Sequence, residues 1–268
     1  MHSKVTRKKF LHVSTSFLGF SALSPFGFGE SLPVVRSHHR GSEDTGHLST
    51  TEDDTIRVLE LRNYLLKTGM REKFNRYFSE HFMTSQQVMG GYVLGRFAIT
   101  GEDDRFFWMR GFNDMLTRSK FLPSFYGGSP AWKSFGPGAN EMMLEVDNVH
   151  LVRPLAETRH STFLASSNLV VIDYYTAHGH RLEDLISVFR SAYLPSLVSQ
   201  GLESSLWVSE MNTNDFPRLP VIQDPNLLIV ITGYRDEAAY RHATKTDAVG
   251  NDLKELLSNR RTLVLRRT

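Results

Sequence analysis

The chain of 268 residues contains no cysteine. Disulfides, thiolate nucleophiles, iron–sulfur clusters and Cys-ligated zinc are therefore excluded as sources of stability or chemistry, and the redox compartment is left open. Its apolar runs fall short of the roughly 18 to 20 residues that a spanning helix requires. No G-x-S-x-G, H-E-x-x-H or EF-hand spacing occurs, which disfavours hydrolases and calcium proteins of those kinds. Gly127-Gly128-Ser129-Pro130 and Gly136-Pro137-Gly138 carry neither a P-loop lysine nor a dinucleotide fingerprint, so they read as loop punctuation. His38, His39 and His47 lie in a polar tract without the preformed geometry of a metal site. No metal and no cofactor is expected.

The formal charge of +2 is unevenly spread. Residues 1–40 hold six Lys or Arg against the single acid Glu30, so the remainder is slightly acidic. A nucleic-acid surface is not implied. Residues 1–29 read as an export leader: a basic start, Thr6-Arg7-Lys8-Lys9-Phe10-Leu11, precedes a charge-free run from Val13 to Gly29. That start resembles a twin-arginine signal with Lys in place of the second Arg, which implies a periplasmic destination with an uncertain cleavage site. Residues 30–54 are rich in Ser, Thr, His and charge and have no apolar period, as expected of a disordered linker.

Beyond Ile56 the hydrophobic pattern alternates between periods of two and of three to four. It predicts strand 56–66, a helix from Met70 to about Gln86, strands 92–99 and 105–112, a crossover, and strand 148–153. From Asn168 the order repeats as strand 169–175, helix 180–200, strands 204–209 and 227–234, helix 236–258 and strand 262–266. Gly69, Gly91 and Tyr64 each lie 110 positions before Gly179, Gly201 and Tyr174, and the third strands are offset by about 121. The last strands match as Leu151-Val152-Arg153 with Val264-Leu265-Arg266. The expected fold is α+β, with two tandem ferredoxin-like βαββαβ units over residues 55–156 and 165–268. Each sheet alone would leave one apolar face uncovered, and packing the two face to face closes a barrel.

Within the first unit, Trp108, Arg110, Phe112, Asp114, Met115, Arg118, Phe125, Tyr126, Trp132, Asp147, Asn148, Val149, Leu151, Arg153 and Pro154 form a pattern that resembles the NIPSNAP family. Glu60-Leu61-Arg62 with Tyr64 resembles the opening of its domains. The resemblance covers roughly 56–154 and implies a dimeric α/β-barrel fold, here closed by a tandem pair. It implies no assigned reaction, though cofactor-independent oxygenases, isomerases and decarboxylases occur on that fold.

Strand alternation sorts the polar side chains, on the premise that the apolar face of each strand meets the helices. Glu60, Arg62, Tyr64, Trp108, Arg110 and Phe112 then point into the barrel, with Tyr126 on its wall and His150 on the inner parity of the fourth strand. Arg62 and Arg110 would clamp a carboxylate or an enolate-like oxygen, with Glu60 or His81 as a base. Equally, the arginines and Glu60 could form a core ion pair that only fixes the sheets. His81 reads as a satisfied core histidine, and Trp132 as a plug for the end of the barrel. His150 is the one feature that would suit haem, and nothing else supports it. Two functions stand side by side: a binder of small aromatic or anionic molecules with enzyme-like chemistry, and a non-enzymatic interaction module with a filled barrel. A homo-oligomer is left open.

Overall fold

The computed structural model describes residues 55–156, 158–159, 167–246 and 251–268. The expected leader, the linker and the three histidines at 38, 39 and 47 lie outside the described residues. In the first half β1 (Val58–Leu66) leads to α1 (Arg71–His81) and α2 (Met83–Val88), then β2 (Tyr92–Ile99) and β3 (Glu102–Phe112). Helices α3 (Met115–Pro123) and α4 (Pro130–Met142) precede β4 (Val149–Pro154). The second half comprises β5 (Leu169–Ala177), α5 (Leu182–Val188), α6 (Leu194–Ser199), β6 (Glu203–Ser209), β7 (Leu227–Tyr234), α7 (Glu237–Thr246), α8 (Asn251–Leu256) and β8 (Leu257–Arg267).

These eight strands form one closed antiparallel ring in the order β4, β1, β3, β2, β8, β5, β7, β6, with β6 returning to β4. Two seams join the halves, Leu265 opposite Ile99 and Val152 opposite Ser209. Closure leaves the barrel strands without a free edge. The strands expected at 92–99 and 227–234 are observed at those residues. The expected helix 180–200 is interrupted by a wide turn at Phe189–Tyr193, after which Pro195 opens α6. The expected helix 236–258 gives way at Leu257 to β8.

Apolar clusters form on both faces of the strands, inside the barrel and under the helices of each half. The barrel interior is filled by strand residues of both halves, including Leu59, Leu61, Phe107, Met109, Val152, Ile172, Trp207, Ile229, Ile231 and Leu263. Outside the first-half strands, a second layer packs Val58, Tyr64, Phe106, Trp108 and Phe112 against the helices through Phe74, Phe78, Phe82, Phe121 and Phe125. The spacing of Phe74, Phe78 and Phe82 puts three rings on one stripe of α1 and its extension, which is why these helices lie flat on the sheet. Trp132 belongs to this helix layer, 4.8 Å from Tyr126 and 5.6 Å from Phe82, so it does not plug the barrel. A Cβ on Gly136 would sit 2.9 Å from the Trp132 ring, so the missing side chain makes room for the indole.

The left-handed turns of the two halves match at an offset of 111, where side-chain identity suggested 110. Backbone conformations decide this. Gly69 at φ 76° and His180 at φ 59° occupy the same left-handed turn, and Gly90 and Gly201 share another. The doubled residues Gly90-Gly91 and Tyr174-Tyr175 allow a match one residue away, and Gly179 stands beside the true turn position. Likewise Asp114 and Asp236, 122 apart, each cap a helix: Thr117 N donates to Asp114 Oδ1 and Ala239 N to Asp236 Oδ1. Val152 and Leu265 face Leu59 and Val170, so the match of the last strands holds.

A non-glycine residue in the left-handed region carries strain that glycine would not. His180→Gly is expected to stabilise the fold by about 0.5–1 kcal/mol and Gly69→Ala to destabilise it by a similar amount, as read by denaturant unfolding.

Candidate functional site

Glu60, Arg62, Arg110 and Arg118 are all fully buried. Glu60 stands opposite Arg110 across the β1–β3 pair, and Arg62 stands opposite Trp108. Arg118 enters from α3, one turn after its Asp114 cap, on the same stripe as Phe121 and Phe125. Pro123 ends the regular part of α3, and the wide turn Ser124–Gly128 then brings Phe125 inward and Tyr126 to the rim.

Glu60 receives all three guanidinium groups. Its Oε2 accepts from Arg62 Nη1 at 2.8 Å and from Arg110 Nε at 2.8 Å, with Arg110 Nη2 in ion-pair contact at 2.6 Å. Its Oε1 accepts from Arg118 Nε at 2.8 Å. Neutral acceptors take part of the remainder. Arg62 Nε donates to Tyr64 Oη at 2.8 Å, and Arg110 Nη1 to Gln86 Oε1 at 2.9 Å and Tyr126 Oη at 3.1 Å. Arg118 Nη1 donates to Asn214 Oδ1 at 3.0 Å. Arg62 Nη2, Arg118 Nη2 and Trp108 Nε1 remain buried without an acceptor among the described residues.

The cluster thus holds three cations against one anion in an apolar surround. Burial alone would raise the Glu60 carboxyl, but Arg110, Arg62 and Arg118 outweigh it and hold it far below the usual carboxylate range. Burial would also lower the Arg62 guanidinium, and Tyr64 and Glu60 reverse that. Burial pushes the Tyr64 phenol up, against the opposing pull of Arg62. Aromatic faces supply further stabilisation: the Arg110 guanidinium lies 5.0 Å from the Phe121 ring and 5.2 Å from that of Trp108. A carboxylate so firmly ionised is a poor proton acceptor, so Glu60 is unsuited to the role of base. Its effect is to hold three guanidinium groups at one point, with unused N–H donors on Arg62 and Arg118.

Seven of the eight expected site residues therefore meet: Glu60, Arg62, Tyr64, Trp108, Arg110, Phe112 and Tyr126. They do so on the side opposite to that expected. The charged side chains lie between sheet and helices, and the barrel interior is the more apolar face. The premise that the apolar face meets the helices fails because β1 is buried on both sides. His150 is the exception. It faces the barrel, its ring 5.0 Å from that of Tyr174, with Nδ1 buried and unpartnered. Burial, aided by Arg261, lowers its pKa to about 4. His81 stacks on Phe135 at 3.8 Å beside Tyr77, a packed side chain outside the charge cluster.

Arg118, Gln86 and Asn214 were not among the expected site residues. Arg118 was visible as a charge on the buried stripe of its helix and Gln86 as the next position of the Phe74, Phe78, Phe82 stripe, whereas Asn214 gave no local signal. Asn214 belongs to the long loop between β6 and β7 of the second half. In that same loop Phe216 lies over Tyr126, ring centroids 6.1 Å apart, and Leu219 is buried in the first-half helix layer.

Among the described residues the second half has no such cluster. The repeat register puts Val171, Asp173, Thr232 and Tyr240 in the places of Glu60, Arg62, Arg110 and Arg118. Asp173 pairs with Arg260 at 3.2 Å and with Thr262.

No protein-family model matches the chain, and no curated protein does. Solved structures do. A provisionally assigned monooxygenase from Lactobacillus acidophilus aligns at 14% identity over 79% of this chain and 94% of its own, with a TM-score of 0.54. An anthrone oxidase-like protein aligns at 8% identity over 81% and 92%, with a TM-score of 0.52. The chain also resembles NIPSNAP proteins over part of its length. One from Agrobacterium tumefaciens aligns at 17% identity over 36% of this chain and 91% of its own, with a TM-score of 0.34. The two longer alignments place the chain in a shared α/β-barrel fold.

Glu60→Gln would leave three buried guanidinium groups without their anion and is expected to cost about 3–5 kcal/mol at neutral pH. Because the folded-state pKa of Glu60 is depressed, its contribution is present above the ordinary value of 4.5 and fades as pH falls below it, so the gap between wild type and variant should narrow in acid. His150 behaves differently. It stays neutral in the fold while the unfolded chain gains a proton below pH 6.5, so wild type should lose about 3 kcal/mol between pH 6.5 and 4, and His150→Leu should flatten that slope. Urea unfolding across this pH range checks both.

Proposed function

We propose that the chain binds a small aromatic molecule bearing a carboxylate, phenolate or enolate-like oxygen, between the first-half sheet and its helices. The observation that carries this reading is the set of three unpartnered buried donors, Arg62 Nη2, Arg118 Nη2 and Trp108 Nε1, beside a single shared carboxylate. Buried donors of this kind are costly unless an acceptor reaches them. An anion accepting from them would also offset the excess of guanidinium charge. The rings of Phe121, Phe125, Tyr126 and Trp132 suit an aromatic body.

We read the two halves as ferredoxin-like units joined in tandem. Each has its strands in the order fourth, first, third, second, which supports that reading. The chemistry that fits the site is stabilisation of an enolate or phenolate. This is compatible with isomerisation, or with oxidation of the bound ring by dioxygen without a resident cofactor, and the oxidase-like and monooxygenase-like neighbours agree with the latter by analogy of fold alone. A second reading has its own support: the barrel interior is filled and each arginine reaches Glu60, as a purely structural ion cluster would. Export from the leader at 1–29 is carried forward as a further proposal; replacing Arg7 and Lys8 should retain the protein in the cytoplasm if that signal acts.

Trp108→Phe keeps a ring in the core and removes one donor. In a thermal-shift and calorimetric screen of benzoate, salicylate and naphtholate, it is expected to weaken the best binder about three- to tenfold at unchanged fold. Shifts that are absent in wild type, or equal in both proteins, would favour the structural cluster.

A further inference from the structure

Asn214 supplies a neutral acceptor to Arg118. It comes from the second half, in the loop between Ser209 and Leu227, yet its Oδ1 accepts from Arg118 Nη1 at 3.0 Å. The Nη2 atom of the same guanidinium has no acceptor. A planar carboxylate engages an arginine best through two parallel hydrogen bonds. Asn214 supplies only one oxygen, and that oxygen is neutral.

The surrounding loop is built to hold the amide in place. Asn214 Nδ2 donates to Leu219 O at 2.9 Å, and Leu219 is itself buried in the helix layer over β1 and β3. Downstream, Ile222 N donates to Val149 O at 2.7 Å and Leu151 N to Ile222 O at 3.3 Å, pinning the loop to β4. Phe216 lies over Tyr126, whose hydroxyl accepts from Arg110 Nη1. Between β2 and β3, the corresponding connection of the first half is only Thr100-Gly101. The long version occurs in the half that has no such charge cluster among the described residues, and its residues reach the cluster of the other half.

We infer that Asn214 is a built-in stand-in acceptor that an incoming carboxylate displaces from Arg118, so that the second half controls access to a single anion site in the first. The inference rests on the ligand-binding reading above and narrows its ligand class to carboxylates. On binding, Arg118 exchanges one neutral acceptor for two charged ones, and the Phe216–Tyr126 contact parts to admit the aromatic body. Asn214 is a gating residue and not a catalytic one.

Calorimetry on the full chain with benzoate and 1-naphthoate tests this. Asn214→Ala removes the competing oxygen and should tighten benzoate binding about tenfold, the order expected for one charge-assisted hydrogen bond. Asn214→Asp supplies a permanent anion and should weaken binding by at least as much. The gain from Asn214→Ala should vanish in an Arg118→Lys background, an outcome that a merely structural loop contact would not produce. Benzoate binding that is unchanged or weaker in Asn214→Ala, or an equal gain with Lys at position 118, overturns the inference while leaving the anion site intact. Absence of binding in wild type and all variants overturns the anion site and this inference together.

Discussion

One carboxylate shared by three guanidinium groups sets the terms for the first half of this protein. Burying Glu60, Arg62, Arg110 and Arg118 without solvent is tolerable only because the four are within hydrogen-bond reach and because Tyr64, Gln86, Tyr126 and Asn214 accept most of what Glu60 cannot. Removing an ion pair of this type in favour of apolar residues often leaves a fold no less stable. The cluster is therefore weak evidence for stability and better evidence for specificity or ligand recognition. Its surplus of donors favours the latter. The apolar barrel on the other side of β1 makes no such demand, which divides the molecule into a passive core and an electrostatically loaded layer.

Much of this arrangement was legible in the sequence. Periodicity located the strands to within a few residues, and the ring of eight follows from the need to cover two apolar sheet faces. The residues that converge were also visible, because alternation puts Glu60, Arg62 and Tyr64 on one side of their strand and Trp108, Arg110 and Phe112 on the matching side of theirs. Which way those faces point was not legible. On a strand buried on both sides the more apolar face meets the drier environment, here the barrel. The leucines at 59 and 61 point there, and the charges point to the helices. The one-residue error in the repeat has a similar origin: side-chain identity suggested Gly179, whereas the backbone needs its left-handed residue at His180.

The partners of Asn214 and Gln86 were out of reach for a different reason. Gln86 continues the Phe74, Phe78, Phe82 spacing on α2 but is a neutral amide that shows no partner by itself, whereas Asn214 sits in a loop and acts across the boundary between the halves. A repeat read as two equivalent units hides such contacts. In the structure the halves are unequal: one has kept charges over its sheet and the other has Val171, Asp173, Thr232 and Tyr240 in their places, while contributing the loop that closes over its neighbour.

The closed ring also has a kinetic meaning. Its seam between β2 and β8 joins Ile99 to Leu265, a separation that makes ring closure a late and entropically costly event in folding. Until β8 is in place, β2 and β5 each expose a raw edge, and on a ribosome that interval lasts for most of the time the second half takes to be made. Such edges are templates for intermolecular pairing. Arg96 lies on β2 itself and puts a cation on one of those edges, where like charge would oppose pairing between two unfinished copies.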